Sequence, residues 1–146
     1  MEEKRECMSW VWLDGVRNFE KGKSVKAWKG WKSSFPMPFL IEMVAQAGGL
    51  LLGAESNYDE DIVFTKVEGV EFIRRPEAGE LEIEVEPESI RREGGWFVGR
   101  VFQNGIKIMQ GRILLMNVVL LRPDGKGPIT FPQQLISGLK LKAALA

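Results

Sequence analysis

Residues 35–53, FPMPFLIEMVAQAGGLLLG, decide how the rest of the chain is read. The run is too long and too poor in β-branched residues for a strand. Pro36 and Pro38 stand where a helix can begin, so a helix is predicted over 37–54. Between Phe39 and Leu52 only Glu42 and Gln46 are neither apolar nor glycine. A helix apolar on all sides has to be buried on all sides. Glu42 and Gln46 lie four residues apart, on one stripe of that helix, where they reach the same small volume. A buried, unpaired carboxylate costs several kcal/mol unless it is protonated or hydrogen-bonded. Two accounts of Glu42 stay open at this level. It belongs to a functional site with a perturbed acid, or it is a satisfied internal partner of Gln46 that reaches solvent past the helix start.

Outward from the helix, the chain reads as strands. Residues 10–31 are extended, with Trp10, Val11, Trp12 and Leu13 opening the first strand and EKGKS at 20–24 as the turn. Val25, Ala27 and Trp31 share one parity on the second. After the polar loop AESNYDED, LEIEVE at 81–86 alternates strictly, as a sheet with one wet face requires. Gly94-Gly95 and Asn104-Gly105 are hairpin signals that divide 81–92, 96–103 and 106–121 into an antiparallel meander. RPDGKGP ends it, and the tail places Phe131, Leu135 and Leu139 at helical spacing, either as a short amphipathic helix or as a partly ordered terminus. Two strands, one buried helix and about four strands predict an α+β domain in which a curved antiparallel sheet wraps the helix. Such a sheet leaves an open edge, which favours dimerisation.

Composition narrows the function. The 146 residues suit one domain, with 45% hydrophobic and 27% charged residues. Twenty basic and twenty acidic residues balance, which argues against a nucleic-acid or anionic-membrane partner. The lone Cys7 allows no internal disulfide and fits a reducing cytoplasm. MEEKRECMSW has no apolar run of the kind a signal peptide needs, and no apolar segment is long enough to span a bilayer. A cytoplasmic protein is expected. There is no histidine, so the commonest general base and metal ligand is missing. No metal site is expected, and no glycine-rich phosphate loop points to a nucleotide or flavin cofactor.

The segment PMPFLIEMVAQAGG resembles the central helix of the 3-hydroxyacyl-acyl-carrier-protein dehydratases, which have the hotdog fold. Pro36 matches that family's proline, Glu42 its catalytic acid and Gln46 the glutamine one turn later. WLDGVRNFEKGKSVKAWK is similar to its first hairpin, through Leu13-Asp14-Gly15-Val16 and Gly22-Lys23-Ser24. VEGVEFIRRPEAGELEIEVE is similar to the strand pair after the helix, through Phe72, Arg75-Pro76 and Gly79-Glu80-Leu81. The resemblance spans about residues 10–121 of a single domain over 1–146, leaving 122–146 as a C-terminal extension. It implies Glu42 and Gln46 as catalytic positions, with Pro36, Met37 and Phe39 at the helix start against the substrate. It also implies acyl thioesters of acyl carrier protein or coenzyme A as partners, in fatty-acid or polyketide metabolism. A homodimer is implied too, with a higher oligomer or a heterodimer with a paralogue as alternatives. Arg74 and Arg75 suit the phosphates of coenzyme A or an acidic carrier protein, although a solvated strand end explains them as well.

The chain also departs from the family. In its members a histidine in the loop before the helix takes the C2 proton of the acyl thioester, and the acid protonates the departing 3-hydroxyl. Here Trp31-Lys32-Ser33-Ser34 leads almost directly into Phe35-Pro36, and the histidine-bearing loop is missing. The family's glycine after the last proline is Met37, and Pro38 has no N–H to offer a substrate oxygen. Trp28 and Trp31 stand where they can fill the space of the missing segment. The resemblance therefore implies a subunit that binds acyl thioesters without dehydrating them alone. Two alternatives stand beside it: a thioesterase using Glu42 as base or nucleophile with Gln46 orienting water, and a non-catalytic structural or partner subunit.

Overall fold

The computed structural model describes residues 12–58 and 60–118. Among the described residues, six strands and one α-helix follow one another in the expected order. They are β1 (Gly15–Glu20), β2 (Ser24–Trp31), α1 (Phe39–Gly53), β3 (Asp61–Phe72), β4 (Gly79–Arg91), β5 (Gly94–Gln103) and β6 (Ile106–Val118). The strands form one antiparallel sheet in the order β1-β2-β4-β5-β6-β3. α1 lies against its inner face, touching β2, β4, β5, β6 and β3. The tail beyond 118, with its predicted Phe131–Leu139 stripe, lies outside the described residues, as do Trp10 and Val11. Among the described residues no helix is long and apolar enough to cross a membrane.

The core is the union of one helix and one sheet face. Leu40, Met43, Val44, Leu50, Leu51 and Leu52 of α1 meet Val25, Ala27 and Trp31 of β2, Leu81, Ile83 and Val85 of β4, Phe97 and Val101 of β5, and Ile113 and Leu115 of β6. A large apolar side chain so enclosed contributes about 1.5–3 kcal/mol. Register shifts interrupt β3 between Phe64 and Lys66 and between Glu68 and Glu71, β4 between Pro87 and Ser89, and β5 between Val101 and Phe102. Such irregularities raise the local twist and bend a sheet, which lets this one curve round the helix. They also accommodate Pro87, which cannot donate to the ladder of a central strand.

Three local expectations need correction. The first strand begins at Gly15, and Trp12 and Leu13 precede the ladder. The Trp12 N–H is taken by the Gln46 side chain, which replaces a strand partner. The β4–β5 turn is Arg92-Glu93, with Gly94-Gly95 already inside β5. Gly95 is needed for close approach, since a Cβ there would sit 2.3 Å from the Ser89 carbonyl oxygen. Finally, α1 starts at Phe39, two residues later than predicted, because Pro38 occupies the N-cap position, and a 3-10 turn over Ala54–Ser56 extends its far end. Asn104-Gly105 is the two-residue turn expected, both residues having positive φ.

Helix and sheet approach closely at Gly99 of β5, where a Cβ would lie 2.2 Å from Val44 Cγ1. Gly99→Ala is expected to destabilise the chain by about 1–3 kcal/mol through overpacking. Val44→Ala in the same chain should return part of that loss. Urea denaturation of the two single variants and the double variant checks the coupling. A Gly99→Ala protein as stable as its parent would show that α1 does not rest on β5 there.

Candidate functional site

The approach to α1 is built from prolines and aromatics. Phe39, Leu40 and Ile41 donate their N–H groups to the carbonyls of Pro36, Met37 and Pro38 at 3.1, 3.0 and 3.0 Å, and the Glu42 N–H reaches Pro38 at 3.4 Å. Pro36 and Pro38 have no N–H. Within 36–42, Met37 is thus the one residue bearing an N–H that is not given to a backbone carbonyl among the described residues. The positive end of the helix can polarise an incoming oxygen through that single amide. Met37 and Phe39 are half-buried and Pro36 is exposed.

Alongside, Trp12 packs on Phe39 with centroids 4.1 Å apart and edge-on to Phe35 at 5.6 Å, and Trp31 meets Phe35 edge-on at 5.2 Å. Trp31 fills space beside the segment 32–38. Trp28 does not: it lies on the opposite parity of β2, under the Arg17 guanidinium at 5.2 Å. Lys29 shares the inward parity of Val25, Ala27 and Trp31, a signal readable from the alternation but missed in the sequence. Its Nζ sits 3.2 Å from Asp14 Oδ1 and within 5.4 and 5.6 Å of the Trp12 and Phe35 rings. The other oxygen of Asp14 accepts the Gly30 N–H at 2.7 Å, so Asp14 ties the start of β1 to the end of β2.

One turn into α1, Glu42 and Gln46 do meet. Gln46 is fully buried; its Oε1 accepts the Trp12 N–H at 2.7 Å and its Nε2 donates to Glu42 Oε1 at a long 3.4 Å. Glu42 is half-buried and lines a cavity of about 150 Å³ with Ala45, Ile62 and Phe64 of β3, and Leu115 of β6. Burial raises the Glu42 carboxyl above its ordinary range, and the Gln46 amide opposes this only in part. Among the described residues no cation contributes. A carboxyl in that setting is a proton donor when protonated and, once ionised, a base short of solvation. The cavity walls Ile62, Phe64 and Leu115 had no signal in sequence, because they approach Glu42 only through strand pairing.

Arg74 and Arg75 lie elsewhere. They line a groove of about 300 Å³ with Glu77, Gln103, Asn104, Ile106 and Ile108, which shares no residue with the Glu42 cavity. Neither arginine forms an ion pair among the described residues, whereas Arg17, Arg92, Arg100 and Arg112 do. A larger hollow of about 510 Å³ runs along Glu80, Glu82 and Glu84. Its row of carboxylates repels phosphates and suits no acyl carrier.

The raised Glu42 carboxyl makes a prediction about stability. The folded chain holds this proton more tightly than the unfolded chain, whose glutamate titrates near 4.5. The stabilisation is fully present below that value and is lost as pH rises through the higher folded value. Glu42→Gln removes the loss. The variant should be more stable than its parent at neutral pH, and the advantage should vanish well below pH 4.5. Urea midpoints against pH test this; a constant difference at all pH values would mean that Glu42 is not desolvated.

No family model and no curated protein matches the chain. Solved structures do. The dehydratase heterocomplex ApeI:P from Xenorhabdus doucetiae superposes with a TM-score of 0.66 at 18% identity, over 80% of this chain and 86% of that one. A thioesterase family protein from Silicibacter pomeroyi gives 0.65 at 11% identity, over 81% and 93%. The smu.793 protein from Streptococcus mutans UA159, bound to acetyl CoA, gives 0.58 at 15% identity, over 71% and 87%. With a six-stranded antiparallel sheet around one α-helix among the described residues, the chain has the hotdog fold.

Proposed function

We propose that this chain is a dehydratase-like hotdog subunit that binds acyl thioesters of acyl carrier protein or coenzyme A, with the acyl end against Glu42, and that it does not dehydrate them alone. The observation that carries the reading is the half-buried Glu42, held toward its protonated form in a cavity otherwise walled by Ala45, Ile62, Phe64 and Leu115, with no cation beside it among the described residues. Dehydration of a 3-hydroxyacyl thioester needs two proton transfers. A base takes the C2 proton, an acid gives one to the 3-hydroxyl, and water leaves as the C2–C3 double bond forms. Glu42 can serve as the acid. No histidine exists to serve as the base, and Lys29 is engaged by Asp14. A histidine-bearing paralogue would complete the pair. Support comes from the dehydratase heterocomplex that shares this fold.

The same geometry supports association through β3. This edge strand exposes Val63, Phe64 and Val67, and Ile62 and Phe64 also wall the Glu42 cavity. Pairing there, with a second copy or a paralogue, covers an apolar edge and closes over the cavity. Arg74 and Arg75, which form no ion pair among the described residues and stand beside exposed Phe72, Ile73 and Ile106, suit the phosphate of either carrier. Acetyl-CoA bound to a protein of this fold is consistent with the coenzyme A form.

A thioesterase is the second reading. The Gln46 amide, held in place by Trp12, can orient a water for an ionised Glu42, and a thioesterase family protein superposes nearly as well. Water would then add to the thioester carbonyl as Glu42 takes its proton, and the thiol would leave. A structural subunit without chemistry is the third.

Purified chain assayed with 3-hydroxyacyl thioesters, and separately with saturated acyl thioesters, distinguishes them. We expect binding without dehydration, and dehydration restored by a histidine-bearing partner. Hydrolysis of saturated thioesters abolished by Glu42→Gln would establish the thioesterase instead. Efficient dehydration by the chain alone would overturn the argument from the missing histidine.

A further inference from the structure

The cavity beside Glu42 is small, and the buried Leu115 forms its inner wall. Its volume is about 150 Å³. A water-sized group takes about 30 Å³ of liquid volume, so the space admits on the order of five such groups. One turn beyond Ala45 the helix carries Gly48. A Cβ built on Gly48 would lie 3.1 Å from Leu115 Cδ1, 3.5 Å from Ile113 Cδ1 and 3.6 Å from Phe97 Cγ. Those three side chains are buried. Leu115, which walls the cavity, therefore also packs against bare helix backbone directly behind Ala45. The sheet and the helix close together there.

Resting on the acyl-thioester reading above, the geometry points to Leu115 as the residue that sets acyl-chain length, restricting the site to short acyl groups of about five carbons. Each methylene buried in an apolar site strengthens binding roughly fourfold. Affinity should climb along an acyl series until the chain reaches Leu115 and then level off, because later methylenes stay in water or must displace a packed side chain. Gly48 is the counterpart. A methyl group there presses on Leu115, and Ile113 and Phe97 already occupy the neighbouring space, so Leu115 moves toward the cavity and shortens it.

Titration calorimetry with non-hydrolysable acyl-amide analogues of pantetheine, the portion common to both carriers, tests this on the full chain. For the parent, affinity should rise from butanoyl to hexanoyl and gain nothing more at decanoyl. Leu115→Ala should bind the decanoyl analogue on the order of tenfold more tightly than the hexanoyl. Leu115→Val, a milder change less apt to unfold the chain, should show the same trend. Gly48→Ala should weaken hexanoyl binding and spare butanoyl. A parent whose affinity keeps rising to decanoyl, or Leu115 variants with an unchanged profile, would overturn the chain-length assignment and leave the acyl-thioester reading standing. A folded parent that binds none of the analogues would overturn both.

Discussion

The contact on which the rest of the structure depends is the seating of α1 in the concave face of the sheet. Val44 meets the bare backbone of Gly99, and Leu40, Met43, Leu50, Leu51 and Leu52 are fully or almost fully enclosed. At about 1.5–3 kcal/mol per large side chain, those residues alone outweigh the cost of carrying one half-buried acid on the same helix. The sheet must curve to enclose the helix, and the irregularities in β3, β4 and β5 provide the bend. Once the helix is enclosed, every side chain it bears is committed to a dry environment. Glu42 is raised for that reason, and the donor that Trp12 supplies helps the sheet and helix tolerate Gln46.

Gln46 links the two halves of the candidate site. Its oxygen is fixed by the Trp12 backbone and its nitrogen faces Glu42, so the orientation of the amide is set by the chain segment before β1. The same Trp12 ring packs on Phe39 at the start of the helix. One residue therefore holds both the amide beside the acid and an aromatic wall at the helix start. The long 3.4 Å contact to Glu42 relieves the carboxylate only partly. A shorter, better aligned bond would stabilise the ionised form and lose the proton donor.

Much of the fold was legible because it rests on periodicity. The uninterrupted apolar run to Leu52 required a buried helix, and LEIEVE placed Leu81, Ile83 and Val85 inside as the alternation demanded. The misreadings came from residues with two physical uses. Gly94-Gly95 looked like a turn, yet Gly95 is there to let the Ser89 carbonyl approach. Trp12 and Leu13 looked like strand, yet the N–H of Trp12 goes to a side chain of the helix. Lys29 was passed over because a charged residue reads as solvent-facing, although its parity with Ala27 and Trp31 turns it inward, where Asp14 and two rings enclose it. Within the candidate site, the pairing of Glu42 with Gln46 followed from helical spacing. Ile62, Phe64 and Leu115 could not be found that way, since strand register brings them to the helix from distant parts of the chain.

The position of β3 joins assembly to chemistry. It is twelve residues long, it forms one edge of the sheet, and its exposed Val63, Phe64 and Val67 leave an apolar rim that an isolated chain has no means of covering among its described residues. Such an edge invites pairing. Ile62 and Phe64 of the same strand form one side of the cavity that Glu42 and Ala45 form on the other. Anything that pairs with β3 therefore also settles how wide the cavity opens and what stands opposite the acid. On the acyl-thioester reading proposed above, a partner paired at that edge would present its own side chains opposite Glu42. Under that reading, the strand edge and the acid belong to one arrangement, in which whatever covers β3 also sets the surroundings of Glu42.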